Sequence, residues 1–450
     1  MSIKLLVVGH ANTGKTSLIR TLLRRHDFGE VKDQAGTTRH VETVTIRLAD
    51  QDILQVTDTP GFEDSIGLWQ LRQQAPFQSF SGSDWLAHFC QSDYAKTEFE
   101  QETKILTQLL QTDIILYVID VRQAPLGKFL NELDILASAN KPIVPILNFS
   151  ASPTPHIDNW RRVLAERHLH TLVKYDSVAF YFEDEKRLYQ SIQSLMPEDY
   201  EQLEDFIQHR YQDAQLRLQS ATRQLAELLI NAASYRLLVN QYPPNAQQQD
   251  AFEQVIHQQE QGFIQSLLGL YEFRSDDVHL EHLAIQNTVW QQDLFAKSTL
   301  KEWGLETSSG VVTGAAIGAG IDVMSAGLSL GTATGIGALL GAGWQTGKHY
   351  KDTIKSKLTK RHYLCLDDVT LGLLALRGIQ AVVQLHKRGH AAQQSVQVKG
   401  DKTSNMETIK PLLSYFQQAR QHPQWYLSDN PLQATLESKL QQTIIHKITP

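Results

Sequence analysis

Apolar positions follow two rhythms along this chain, and the rhythm changes near residue 197. Before that point, short apolar runs alternate with polar turns and with stretches of helical spacing. Ile3-Lys4-Leu5-Leu6-Val7-Val8 predicts a buried strand, as do residues 113–121 (D-I-I-L-Y-V-I-D-V) and 143–147. Residues 41–48 alternate apolar and polar and 53–56 resume after a polar turn, which predicts a β-hairpin. Helices are expected over 17–25, 130–139, 158–167 and 183–195, with a last strand over 171–175. The expectation for 1–197 is an α/β domain, with Met196-Pro197 as its boundary.

After the boundary the period becomes helical. Leu203, Ile207, Tyr211, Ala214, Leu218, Ala221, Leu225, Leu228, Ala232 and Tyr235 fall three or four residues apart, the stripe of one long helix. Pro243-Pro244 is the expected stop, and a second long helix is predicted over 246–271. Together they read as antiparallel helical arms over 198–303, either a packing element or a lever coupled to an effector. Helical pattern returns over 366–387, then in two shorter stretches near 406–421 and 432–448.

The chemistry is concentrated where the first strand ends. Gly9-His10-Ala11-Asn12-Thr13-Gly14-Lys15-Thr16, followed by Ser17, has the form G-x-x-x-x-G-K-[ST] between a predicted strand and a predicted helix. The glycines allow a tight turn whose N–H groups converge on an anion, and the helix N-terminus adds positive charge. Lys15 is then expected on the β- and γ-phosphates and Thr16 on Mg²⁺. In the polar stretch that follows, Thr38 is the expected second Mg²⁺ ligand, with Thr37 as its alternative, and Arg39 either touches phosphate or is solvated. Asp58-Thr59-Pro60-Gly61 closes the hairpin, so Asp58 is the carboxylate on the Mg²⁺ side and the Gly61 N–H faces the γ-phosphate.

Bulk properties narrow the setting. With 42 basic and 49 acidic residues, the net charge of −7 gives no global basic field of the kind that argues for nucleic acid. Cys90 and Cys365 make no disulfide framework, so a reducing cytosol is expected, without a signal peptide.

G-x-x-x-x-G-K-T, G-T-T-R at residues 36–39 and D-T-P-G, in this order, resemble the translation-factor-like GTPases of the TrmE–Era–EngA group. The whole chain further resembles a family of bacterial GTPases of unknown role with an α-helical C-terminal domain. The resemblance implies a Ras-like fold, GTP and GDP as ligands, and a nucleotide-dependent homodimer. Phe62 stands where Ras-like proteins carry a water-positioning glutamine. The group lacks that glutamine too, and its best-understood members use a potassium ion held by a phosphate-loop asparagine, the position of Asn12. Asn12 either ligates K⁺ or supports the loop. Glu63, Asp64 and Glu98 to Glu102 are acidic candidates for orienting water; nothing selects one, and 98–102 reads as a solvated helix face.

The base-reading motif departs from the family. Where the resemblance implies N-K-x-D, the chain has Asn148-Phe149-Ser150-Ala151, so Asn148 remains, Phe149 could stack on the base, and the aspartate that reads guanine is absent. Asp176 is either its substitute or a strand-end turn residue.

Residues 304–347 carry the second strong signal. Gly310, Gly314 and Gly318, then Gly327, Gly331 and Gly335, repeat small residues every four positions, and Asp322 is the only charge between 307 and 347. The stretch predicts a glycine-rich apolar hairpin of two helices with Trp303 and Trp344 at its ends, packed either in lipid or in a soluble core. Lys348, Lys351, Lys355, Lys357, Lys360 and Arg361 follow at once, so 304–361 is an expected contact with an anionic membrane surface.

The expected protein is therefore a Ras-like P-loop GTPase domain over 1–197 followed by helical arms, a hairpin and C-terminal helices over 348–450. It hydrolyses GTP with Mg²⁺ and K⁺ as a switch at the cytoplasmic face of the inner membrane, toward an unknown protein effector. A scaffold that binds nucleotide without turnover, and an ATPase, are the competing readings.

Overall fold

The structure is a computed structural model that describes residues 2–24, 41–150, 152–176, 182–239, 243–273, 285–286, 288–305, 321–325, 362–387, 402–428 and 430–448. It divides into two compact units, the first over 1–215 and the second over 216–386 and 395–450.

The first unit is a six-stranded sheet in the order β2-β3-β1-β4-β5-β6. The strands are β1 (Ile3–Val8), β2 (Glu42–Leu48), β3 (Gln51–Asp58), β4 (Ile114–Asp120), β5 (Ile143–Asn148) and β6 (Val173–Lys174). All neighbours are parallel except the β2–β3 hairpin at the edge. Every residue of β4 and β5 is buried, as expected of parallel strands covered on both faces. The alternation of side chains divides β1 between two cores. Leu6 and Val8 join Ile115, Tyr117 and Ile119 on one face; Leu5 and Val7 join Leu116, Val118 and Ile146 on the other.

One face is covered by α1 (Lys15–Leu23) and α7 (Phe182–Leu195). The other is covered by α2 (Ser65–Arg72), α3 (Asp84–Gln91), α4 (Glu100–Leu109), α5 (Gly127–Ala137) and α6 (Ile157–Glu166). Residues 62–112 thus form part of the core, built around Phe77, Trp85, Phe89 and Phe99.

Helix α8 (Tyr200–Ser234) begins three residues after the boundary expected at 197, and the division between the units falls within it, after residue 215. Its Leu203, Phe206 and Ile207 complete the core over α1 and α7. Arg210 fastens it further. The buried Glu185 carboxylate accepts from Arg210 at 3.0 Å, from Arg24 at 3.3 Å and from the Tyr189 hydroxyl at 3.0 Å. A cut at residue 197 would strip that carboxylate of one cation.

The second unit has one core fed by α8, α9 (Ala246–Leu270) and α11 (Asp368–His386), with helices Leu413–Arg420 and Pro431–Ile448. The short helix α10 (Lys297–Glu302) lies between α9 and α11 in sequence. Helix α8 ends at Ser234 rather than at the proline pair, because β7 (Leu237–Val239) follows it. β7 is the edge of a three-stranded antiparallel sheet with β11 (His362–Leu366) in the middle and β10 (Ile321–Ser325) beyond it. Strands β8 (Ile285–Gln286) and β9 (Val289–Trp290) form a separate pair.

β10 corrects part of the predicted helical hairpin. Ile321 and Val323 are β-branched, the segment is free of glycine, and Asp322 pairs with Cys365 across a strand ladder where the pattern predicts a helix. The remainder of 306–361, including Trp344 and the basic run, lies outside the described residues. Among the described helices, α11 alone is long and apolar enough to cross a membrane. Two thirds of its apolar window is buried, 67%, by the core it shares with α8 and α9, and we read it as a core helix.

Candidate nucleotide-binding site

The strand order reverses at β1, which lies between β3 and β4. Ligands of open α/β sheets bind beyond the carboxyl ends of the strands at such a switch point. Gly9 to Gly14 leave β1 there. Gly9 has φ +153°, and a Cβ on it would lie 2.5 Å from the Val118 carbonyl oxygen. Gly14 has φ +89°, and its Cβ would lie 2.3 Å from Asn148 Nδ2. Only glycine fits either place, so the motif spacing is required by the backbone. Thr13 Oγ1 closes the turn on the His10 carbonyl at 3.0 Å. Helix α1 starts at Lys15 and runs through Thr16 and Ser17, which presents its N-terminal N–H groups at the loop.

Lys15 is buried, and its ammonium is held over the loop by the carbonyls of His10 at 2.8 Å and Gly9 at 3.2 Å. Burial pulls its pKa down, opposed by the charges of Asp58 and Glu132. Thr16 Oγ1 donates to Asp58 Oδ2 at 2.6 Å across the gap between α1 and the end of β3. Burial pushes the Asp58 carboxyl up to about 6, while Thr16 and Lys15 hold it down. Asp58 Oδ1 is buried and accepts no hydrogen bond. A hydroxyl and a carboxylate with an unused oxygen, both hard oxygen donors, are the ligand types Mg²⁺ takes. Thr16 and Asp58 therefore fit that ion. Thr38, with Thr37 and Arg39, falls within 25–40 and outside the described residues.

Gly61 approaches the loop so closely that a Cβ would meet the Ala11 nitrogen at 2.6 Å. Phe62 donates from its N–H to the Gly9 carbonyl at 3.4 Å, and its ring is fully buried in the core. It anchors the segment and cannot orient water. Asn12 is exposed at the loop's apex with φ +62°.

Two of the acidic candidates serve the backbone. Glu102 was expected on a solvated face but is buried, and its Oε1 accepts from the N–H groups of Glu63 at 2.9 Å and Asp64 at 2.8 Å. Asp64 caps α2 through Gly67 N at 2.8 Å. Glu63 remains exposed beside Gly61.

Asn148 acts as a brace. Its Nδ2 donates to the Thr13 carbonyl at 2.9 Å and its Oδ1 accepts from Phe149 N at 2.9 Å, which ties the end of β5 to the phosphate loop. The Phe149 ring lies beside Gly14 and is covered by the Arg122 guanidinium, 3.8 Å from the ring centroid. Asp120 orients Arg122 through two bonds of 2.9 and 2.8 Å, and the charge of buried Asp176 also reaches it.

Sequence reasoning missed one array. Glu132 of α5 is fully buried and accepts from the Tyr117 hydroxyl at 2.8 Å. Its other oxygen lies 2.8 Å from His10 Nδ1, and His10 Nε2 lies 2.9 Å from Lys128 Nζ. The array fixes the first variable residue of the loop to the neighbouring helix.

Comparison with known proteins agrees with this geometry. Residues 4–149 match the family described as 50S ribosome-binding GTPase. No curated protein matches the chain. Similar solved structures include Aquifex aeolicus Era bound to GDP·AlF4⁻, at 20% identity over 39% of this chain and 52% of that one, with a TM-score of 0.28. Era in complex with MgGDPNP and a piece of 16S ribosomal RNA has the same identity and coverage and a TM-score of 0.27. A bacterial selenocysteine-specific elongation factor matches at 15% identity over 44% of this chain and 29% of its own, with a TM-score of 0.27. This chain thus spans about half the length of the two Era chains, and scores this low add nothing beyond likeness of fold. Residues 161–449, more than half of the chain, match the domain of unknown function DUF3482, and the protein belongs to that family, carrying its domain behind an N-terminal GTPase domain of the P-loop fold.

Proposed function

We propose that the protein binds and hydrolyses GTP with Mg²⁺ and works as a switch. The observation that carries this reading is the 2.6 Å bond between Thr16 and Asp58, with an unused Asp58 oxygen, next to Lys15 on a glycine-bounded loop. Thr16 and Asp58 would hold Mg²⁺, which when bound neutralises charge developing on the phosphate oxygens. Lys15 supplies a fixed positive charge toward the β- and γ-phosphates, and the Gly61 N–H would face the γ-phosphate. Asn12 offers its side-chain carbonyl to K⁺, in a site with Phe62 where Ras-like proteins carry a water-positioning glutamine.

Phosphate release by purified full-length protein, with GTP and ATP compared side by side, tests the reading. Sustained release with GTP supports it. Binding without release supports a scaffold instead. An ATPase is the second reading, favoured by Ala151 at the place of the guanine-reading aspartate and by an Asn148 amide committed to Thr13 and Phe149. Titration calorimetry with each nucleotide separates the two.

The switch would act at the cytoplasmic face of the inner membrane, with 304–361 as its contact. The support is the glycine-rich apolar run followed by the basic residues from Lys348 to Arg361. Co-flotation with anionic vesicles at low and high salt tests it. Protein that stays unbound at low salt in both nucleotide states overturns the membrane reading.

A further inference from the structure

The second unit contains a cavity at the edge of its core, lined by charged, polar and aromatic side chains. Its volume is about 270 Å³, and its lining includes His257 and Glu260 of α9, Thr288, Trp290 of β9, Asp293 and Arg377 of α11. At roughly 30 Å³ of liquid per water, that is room for about nine waters or one small molecule.

The lining is built rather than incidental. Arg377 is 1% exposed and Glu260 5%. The Arg377 guanidinium lies over the Trp290 ring, 4.6 Å from its centroid, and Arg377 Nε lies 3.0 Å from Glu260 Oε1. Yet Arg377 Nε and Nη1, Trp290 Nε1 and Glu260 Oε1 all lack a hydrogen-bond partner. The ion pair has the distance of a bond but not its direction. A buried polar atom left without a partner costs about 1–3 kcal/mol, more when charged. Four such atoms belong to residues that line one cavity, and an occupant that both accepts and donates would satisfy them. At the rim, His257 Nε2 and Asp293 Oδ1 are 3.3 Å apart.

Charge narrows the class. Two carboxylates, Glu260 and Asp293, repel a free phosphate, while Arg377 repels a plain cation. Both signs together suit a molecule that carries both. We propose that this cavity binds a small zwitterion of the α-amino-acid type, its carboxylate received by Arg377 and Trp290 and its ammonium by Glu260. Burial pushes Glu260 up to about 7, so an ammonium against it also restores the ionised form. The second unit thereby becomes a small-molecule-binding domain.

The test is thermal melting and titration calorimetry of full-length, nucleotide-free protein at neutral pH. The probes are the common L-amino acids one at a time, with acetate, methylammonium and inorganic phosphate as comparators. At least one amino acid is expected to raise the melting temperature saturably, beyond acetate or methylammonium alone. Trp290→Phe keeps the ring under Arg377 and removes the indole donor, and should weaken that binding about tenfold, the loss of one hydrogen bond to a charged group. Arg377→Met should abolish it; the tryptophan variant keeps the question open to refutation if the arginine variant does not fold. The proposal is overturned if no amino acid stabilises the protein. It is overturned equally if phosphate or acetate alone does as well as the best amino acid, or if Trp290→Phe binds as tightly as the wild type.

Discussion

Each unit buries a carboxylate beside a buried cation: Asp58 with Lys15 in the first, Glu260 with Arg377 in the second. Burial pushes both acids up, Asp58 to about 6 and Glu260 to about 7. The difference lies in what surrounds them. Asp58 stands at the end of a parallel strand, bonded to Thr16 and facing a loop whose glycines cannot be replaced. Glu260 stands on the apolar stripe of a helix with no motif around it. A motif marks a site that needs a fixed backbone around an anion. A site made of side chains on packed helices leaves no such mark, because many sequences could supply the same groups.

The largest expected effect is structural and falls on the second site. Glu260→Ala leaves Arg377 as an unpaired buried charge, which should cost about 3–5 kcal/mol, read as the midpoint shift in denaturant unfolding. An unchanged midpoint would mean that water reaches Arg377. Lys15→Ala should do the reverse. It should leave unfolding nearly unchanged and lower turnover by about 10²–10³, as removal of one preorganised charge contact does. Turnover retained in that variant would remove the phosphate loop from the chemistry.

Titration separates the two carboxylates. An acid whose folded pKa is raised holds its proton more tightly folded than unfolded, so stability falls as pH rises. For Glu260 the fall runs from the ordinary value of 4.5 to about 7, and Glu260→Gln should flatten it in a melting series. For Asp58 the functional consequence matters more. Below about pH 6 the protonated acid loses its claim on Mg²⁺, so turnover at limiting Mg²⁺ should fall about tenfold per pH unit. Saturating Mg²⁺ should move that inflection to lower pH. An inflection that ignores Mg²⁺ would detach Asp58 from the metal.

Much of the fold was legible because its strands carry unbroken apolar runs and its loop carries required glycines. The central strands, the hairpin, α6 and α9 fall where the pattern places them, and so does the stripe of α8 apart from Tyr211, which is exposed, and Tyr235, which lies beyond the helix end. The buried acids were not read, although their positions are regular. Glu102 sits with Ile105, Leu106 and Leu109; Glu132 with Phe129, Leu133 and Leu136; Glu185 with Leu188, Tyr189 and Ile192; Glu260 with Ile256, Phe263, Ile264 and Leu267. Each occupies a place in an apolar stripe three or four residues from its neighbours. A charge there must find partners inside the protein, and those partners are distant in sequence: Glu63 and Asp64, His10 and Tyr117, Arg24 and Arg210, Arg377. Local charge density hid Glu102 within E-F-E-Q-E; the helical period singles it out.

The smallest effect sharpens what the first site needs beyond Lys15 and Asp58. Phe62 is fully buried, Asp64 caps a helix and Glu102 binds backbone, so none of them supplies a charge or a water contact at the loop. Asn12 is exposed at the apex with positive φ, and an asparagine tolerates that conformation well. Its side chain is therefore available to a cation for a reason separate from backbone strain. If K⁺ completes the site, turnover in K⁺ should exceed turnover in Na⁺ by about tenfold, which requires only about 1.4 kcal/mol of transition-state stabilisation. Asn12→Ala should erase the difference between the salts without lowering turnover in Na⁺, because the loop's own contacts run through Gly9, Thr13 and Lys15. If the variant instead slows equally in both salts, Asn12 shapes the loop and holds no ion. Equal rates of the wild type in the two salts would place the missing positive charge on a protein group, and among the described residues Arg122 and Lys128 are candidates to test by the same substitution series.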